Sequence, residues 1–213
     1  MNRSVKKTVL IGMLAAVAYI MVFVVRIPVV LFLKYEPKDV IITIGGFLLG
    51  PMAAFLTSLV VSLVEMLTIS ETGPIGALMN LLSTCAFACT AAIIYKRRHT
   101  LGGAIMGLGI GSVVMVIIML LWNWLITPLY MGQPREAVEA LLLPAFLPFN
   151  ALKAGLNSAL VLLLYKPLVH ALRRTGLVES KPGKGNSKIG IYLLGAALLA
   201  ACILLLLVLR GIL

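Results

Sequence analysis

Long apolar runs separated by short charged clusters divide the chain. The runs fall at about 8–25, 40–67, 74–95, 101–124, 149–172 and 189–209. Most approach the ~20 residues that a helix needs to cross a bilayer. They are continuous rather than alternating, which argues for helices and against a membrane β-barrel. The breaks carry their own signals. Residues 26–39 hold Lys34, Glu36, Pro37, Lys38 and Asp39, where the proline ring and the charges are expected to stop a helix. Pro74 stands where a helix would begin. Residues 178–188 read as a polar, basic, flexible linker.

The run 40–67 is too long for one comfortable span, and Gly50-Pro51 interrupts it. Charge decides how it is read. The flank Arg3, Lys6, Lys7 predicts a cytoplasmic N-terminus, because Lys and Arg concentrate in cytoplasmic loops. If 40–67 were one span, Lys96-Arg97-Arg98 would fall outside. With a tight turn at Gly50-Pro51 it forms two spans, about 40–49 and 51–67, and the basic cluster falls inside. On this map twelve of the eighteen Lys and Arg lie at inner positions and five of the seven acids in outer loops, so the two-span reading is preferred. The segment 140–146 reads as apolar chain lying on the outer membrane surface.

Composition agrees. Hydrophobic residues make up 62% and charged residues 12% of the 213, against about 25% charged in soluble domains. The sequence therefore predicts an all-α polytopic membrane protein of the cell membrane, in contact with lipid. The net charge of +11 is read as topology, not as a nucleic-acid footprint. Cys85, Cys89 and Cys202 sit in apolar runs without His or carboxylate neighbours and read as packing residues, with no metal. His99 and His170 fall among basic inner residues. The nucleophile elbow Gly-x-Ser-x-Gly and the zinc motif His-Glu-x-x-His are absent, so the chain is not expected to be an enzyme. The glycines at 102, 103, 107, 109 and 111 follow no strand and read as close helix packing.

Polar residues inside the oily runs are then the candidates for chemistry. Asn150 and Lys153 are one helical turn apart on one face, and a lysine near a bilayer centre costs roughly 2.5–3.5 kcal/mol. Asn123 lies at the end of the run 101–124, and Gly76, Met79, Asn80 and Ser83 begin the run 74–95. All of these, with residues 34–39, are expected at the outer end, where they would surround one outward-facing pocket. Two carboxamides offer paired donors and acceptors that suit a planar, amide-like edge, and Lys153 adds three donors. Phe149, Met79 and Trp122 would flank a ring. Without an arginine cluster, a phosphate is a poorer match. Glu65 is the one carboxylate inside a run. It leaves an alternative open: an autonomous secondary transporter of a small neutral solute that uses Glu65 as a proton relay.

Several blocks appear together in order: Lys34-Tyr35-Glu36-Pro37-Lys38-Asp39, Gly50-Pro51, Gly73-Pro74-Ile75-Gly76-Ala77-Leu78-Met79-Asn80, Asn123 with Pro128-Leu129-Tyr130, and Pro148-Phe149-Asn150-Ala151-Leu152-Lys153. Over about residues 5–175 the chain resembles the riboflavin-binding S components of energy-coupling factor (ECF) transporters. The resemblance implies six membrane helices that bind riboflavin near the outer face. It implies partners: a transmembrane T subunit and two ATPase subunits. Riboflavin would be the transported substrate, and no cofactor is implied. By motif, Asn123, Asn150 and Lys153 would bond the flavin, while Tyr35 and the turn Gly76, Leu78, Met79, Asn80 would line the pocket. Gly12, Ala15 and Ala16 would form the face that docks the T subunit. The expected organisation is a substrate-binding domain at 1–175, a basic linker at 176–188 and an additional C-terminal transmembrane helix at 189–213. That last helix departs from the six-helix pattern.

Overall fold

The computed structural model describes residues 3–31, 33–70, 72–174 and 188–209. Helix α1 spans Arg3–Val24. A short antiparallel hairpin follows, β1 Ile27–Val30 and β2 Leu33–Tyr35, with Ile27 opposite Tyr35. Then come α2 Lys38–Leu49 and α3 Pro51–Thr68. The turn between them needs a left-handed residue, and Gly50 supplies it at φ 96° without the Cβ clash other residues would meet. Pro51 then starts α3 with its φ already set. The two-helix reading of 40–67 is therefore what the chain does.

Helix α4 runs Gly73–Arg98 through a π-helical turn at Cys85–Cys89. Helix α5, Leu101–Leu125, is capped by Thr100, whose Oγ1 accepts from the Gly103 amide at 3.1 Å. Such a cap satisfies a backbone donor that the first turn leaves open. Two short helices, α6 Thr127–Met131 and α7 Arg135–Leu141, lead through a second π-helical turn, Leu142–Phe146, into α8, Leu147–Arg174. Helix α9 is Lys188–Leu209. Among the described residues, five helical stretches are long and apolar enough to cross a membrane.

Two expectations are corrected. The charges at 34–39 do not stop a helix: α2 begins at Lys38, and Lys38 and Asp39 are buried in its first turn. Pro37 ends the hairpin instead. The segment 140–146 does not lie flat on a surface. It continues α7 into α8 as helix, with Ala145 and Phe146 buried. The expected linker lies, but for its last residue, outside the described residues.

Helix α2 is the hub. Its 12 residues reach only about 18 Å, less than the hydrocarbon thickness, yet it packs against α1, α3, α4 and α8. It is buried on nearly every side, through Val40, Ile42, Ile44 and Phe47. Glycines allow the closest contacts. A Cβ on Gly111 would stand 2.7 Å from the Phe87 carbonyl oxygen, and one on Gly107 would stand 2.8 Å from that of Ala91. The expected role in helix packing therefore holds for Gly107 and Gly111, which face α4, but not for Gly102 and Gly109, which face open space. Helix α9 lies antiparallel on α8, with Gly155 opposite Cys202 and Gly195 opposite Ala159 and Leu163.

Candidate functional site

One end of the bundle holds a cleft of about 110 Å³. Helical spacing explains who lines it. On α4, Gly76, Met79, Asn80 and Ser83 form one stripe at i, i+3, i+4 and i+7. Met119, Trp122 and Asn123 do the same at the end of α5, and Phe149, Asn150 and Lys153 at the start of α8. Glu65 comes from the end of α3. Leu33, Lys34 and Glu36 come from the hairpin and the bend after it. Gly76 has no room for a side chain, because Thr72 folds over its Cα.

The floor and side of the cleft are charged, and the charges are paired. Lys38 Nζ lies 3.0 Å from Glu36 Oε2 and 2.5 Å from Glu65 Oε2, with its side chain 1% exposed. Arg26 Nε donates to the other oxygen of Glu36 at 2.9 Å. Asn80 Nδ2 donates to Glu65 at 3.0 Å. A second limb starts at the next residue. Asp39, fully buried, accepts from Thr84 Oγ1 at 2.6 Å and from Asn157 Nδ2 at 3.1 Å. Lys153 Nζ stands 3.3 Å from Asp39 Oδ2 and donates to Ser83 Oγ at 3.3 Å. Burial pushes the Glu36 carboxyl up, but the attraction of Lys38 and Lys153 outweighs it and holds the group below the usual carboxylate range. A buried charge without partners would cost several kcal/mol, which is why each of these has at least one.

The two amides are fixed from behind. Asn123 Nδ2 donates to the Met119 carbonyl at 2.7 Å, and its Oδ1 accepts from Thr127 Oγ1 at 2.9 Å. Asn150 Nδ2 donates to the Phe146 carbonyl at 2.7 Å. Each bond uses one of the two N–H groups of the amide, so each keeps a donor, and each oxygen keeps a lone pair. Lys153 likewise spends two of its three donors on Asp39 and Ser83. Between them Met79, Met119, Trp122 and Phe149 give apolar walls. The arrangement is a slot with fixed carboxamides and an ammonium at its polar edge. Such an edge can offer hydrogen bonds to a molecule that carries its own donors and acceptors. Among the described residues, no group of three or more His, Cys, Asp or Glu is placed to hold a metal ion.

Of the expected pocket residues, Gly76, Met79, Asn80, Asn123, Asn150 and Lys153 line the cleft. Tyr35 and Leu78 do not. Alternation along β2 puts Lys34 and Tyr35 on opposite faces of the strand. The Tyr35 hydroxyl is buried and donates to Asn157 Oδ1 at 3.1 Å. Leu78 is two residues past Gly76, roughly 200° round the helix, and is 49% exposed on the outer surface of the bundle. The small-residue face of α1 splits as well. Gly12 and Ala16 are exposed, whereas Ala15 is buried in the core and unavailable for docking. Glu65 does not stand alone either, since Lys38 and Asn80 hold it. Sequence reasoning missed the cleft-lining Arg26 and Met119, and it also missed Asn157. It is one turn beyond Lys153 on α8, and continuing the face through 150 and 153 by another four positions leads to it.

Residues 6–165 match the family model of the ECF transporter, substrate-specific component. The chain belongs to this family. Similar proteins include the riboflavin transporter RibU of Staphylococcus aureus (strain TCH60), 29% identical over 178 residues that cover 79% of this chain and 93% of that protein. The riboflavin transporter FmnP of Bacillus subtilis (strain 168) is 24% identical over 184 residues, 79% of this chain and 96% of that protein. A solved S component of a bacterial ECF transporter superposes with a TM-score of 0.68 at 30% identity. The match takes in 81% of this chain and 100% of that one. As an ECF substrate-specific component, the protein is a multi-pass membrane protein and a transport subunit. The family match ends at residue 165, so α9 lies beyond it.

Proposed function

We propose that this S component captures riboflavin in the cleft and delivers it inward together with a transmembrane T subunit and two ATPase subunits. The observation that carries the reading is the convergence of Asn123, Asn150 and Lys153 on one apolar-walled slot. The pyrimidine edge of a flavin alternates C=O and N–H groups, and two fixed carboxamides and an ammonium complement it. Two similar proteins bear the name riboflavin transporter, which supports the same ligand.

Basic residues 96–98, at the opposite end of α4 from Gly76, support a cytoplasmic N-terminus and a cleft at the outer face. The exposed stripe of α1 that includes Gly12, Met13, Ala16, Val17 and Ile20 is the surface offered to the T subunit. Small residues there let another helix approach closely. The chain itself carries no chemical step. It binds, orients and releases, and the energy comes from the ATPase partners.

The test is flavin binding by the purified protein in detergent, read by absorbance and by quenching of Trp122 and Trp124 fluorescence. The wild type should bind saturably at micromolar riboflavin or below. Lys153→Ala should weaken binding by ~1.5–3 kcal/mol, the range for a hydrogen bond to a charged group. Wild-type affinity in that variant, or no saturable quenching in the wild type, would sink the assignment.

A further inference from the structure

Resting on the riboflavin reading, we propose that α9 braces the hairpin wall of the cleft and thereby sets how long a bound flavin stays. The hairpin is small, with strands of four and three residues, and an isolated two-stranded ribbon is at best marginally stable. It nevertheless supplies part of the wall through Leu33, Lys34 and Glu36. Something must hold it.

Its back does not face solvent. Val29, Leu33 and Tyr35 belong to an apolar cluster that α9 completes with Cys202, Leu198 and Leu206, and β1 touches α9 directly. Leu33 is in both places: it lines the cleft and it packs in this cluster. The close seam between α8 and α9 fixes the register of the brace. There Cys202 faces Gly155, and Gly195 faces Leu163 and Ala159. The polar links run the same way. Tyr35 bonds Asn157, Asn157 bonds Asp39, and Asp39 pairs with Lys153 in the cleft. The proximity of Cys202 adds to burial and Asp39 in pushing the Tyr35 hydroxyl up. A shift of α9 is therefore transmitted to the hairpin by packing, and to Lys153 by hydrogen bonds. The family match stops at residue 165, so this support is an addition to the shared six-helix span.

The experiment uses the full chain in detergent. In Gly195→Leu, the new side chain starts 3.0 Å from Leu163 and 3.4 Å from the Ala159 carbonyl, which lifts α9 from α8. Gly190→Leu, on the same helix, meets open space and is the control. Leu206→Ala thins the contact with the hairpin cluster without touching the seam, and carries the test if Gly195→Leu does not fold. Two readouts are taken: riboflavin association and dissociation by fluorescence, and amide hydrogen exchange of residues 27–35. Gly195→Leu and Leu206→Ala should release riboflavin at least 5-fold faster, with association within twofold of wild type. Exchange should rise in 27–35 and stay unchanged in α2–α5. The control should match wild type in both. Unchanged dissociation, or exchange rising equally throughout the bundle, overturns the brace. A wild type that does not bind riboflavin overturns the functional reading instead. The exchange arm needs no ligand, so it still decides whether α9 holds the hairpin.

Discussion

The two ends of this bundle are held together by different physics. At the cleft end, Glu36, Lys38, Asp39, Glu65 and Lys153 are all buried, and each is matched to an opposite charge. At the other end the core is oily and tight. Phe47 stacks on Tyr95 with ring centroids 4.5 Å apart, and the Tyr95 and Tyr165 hydroxyls meet at 2.7 Å. Between the ends, α5 lies against α4 on glycines with no space for a methyl group. Dispersion and close approach suffice where nothing has to bind. Among the described residues, buried charge appears only at the cleft end. It is tolerated there because each group has partners and because the cleft leaves a few donors unspent.

The largest effect should come from breaking that charge balance. Lys38→Met leaves Glu36 and Glu65 facing each other's charge without their shared cation. Removing one partner of a buried pair costs about 3–5 kcal/mol, read as a lowered Tm in detergent. Adding Glu65→Leu to Lys38→Met should recover part of the loss, because an apolar replacement of a whole pair is often near neutral. No recovery would mean that packing, not charge, makes Lys38 matter. Acid acts on the same pairing with a defined sign. The Glu36 carboxyl is held below its ordinary range. Its contribution is therefore full above the ordinary carboxylate pKa, and is lost only as pH falls through the lowered value.

The tight region should respond less, and differently. Gly111→Leu forces a side chain against the Phe87 carbonyl. Overpacking of this kind costs typically 1–3 kcal/mol. It should lower Tm while leaving riboflavin affinity of the folded protein within about twofold, because the seam is separate from the cleft. A binding defect larger than the Lys153→Ala defect would show that the two regions are not independent.

How far the sequence reveals this division depends on periodicity. The Gly50-Pro51 turn is legible because charge parity and backbone chemistry demand the same break. Asn150 and Lys153 are legible because a helix face is a simple spacing rule, and the same rule places Asn80 and Asn123. Tyr35 and Leu78 fail for one reason: a contiguous motif does not tell which of its residues face inward. In the hairpin the period is two, so Tyr35 points away from its neighbours. On α4 the period is 3.6, so Leu78 points to the outer surface. Ala15 and Ala16 divide in the same way. The burial of Lys38 and Asp39 is hidden for a different reason. Consecutive opposite charges after a proline look like solvated loop, and only the tertiary meeting with Glu65, Thr84 and Asn157 turns them into core.

The smallest predicted effect sharpens the comparison from the other side, because it removes a carboxylate that is exposed and has no cation paired to it among the contacts described. Glu139 accepts a hydrogen bond from Trp124 Nε1 at 2.7 Å, and Arg135 sits 5.5 Å over the same ring. The hydrogen bond to Glu139 is as short as the contacts of Glu65, but its donor is a neutral indole and not an ammonium. Glu139 and Arg135 lie on the rim, where both are exposed. In water such a contact is screened and its side chains lose freedom to form it, and even exposed ion pairs are worth only about 0.2–1 kcal/mol. Glu139→Ala should therefore shift Tm by a small fraction of the Lys38→Met shift and leave riboflavin binding unchanged. If it matched Lys38→Met, distance alone would set the strength of these contacts, and burial would not be what separates the cleft from the rest of the bundle.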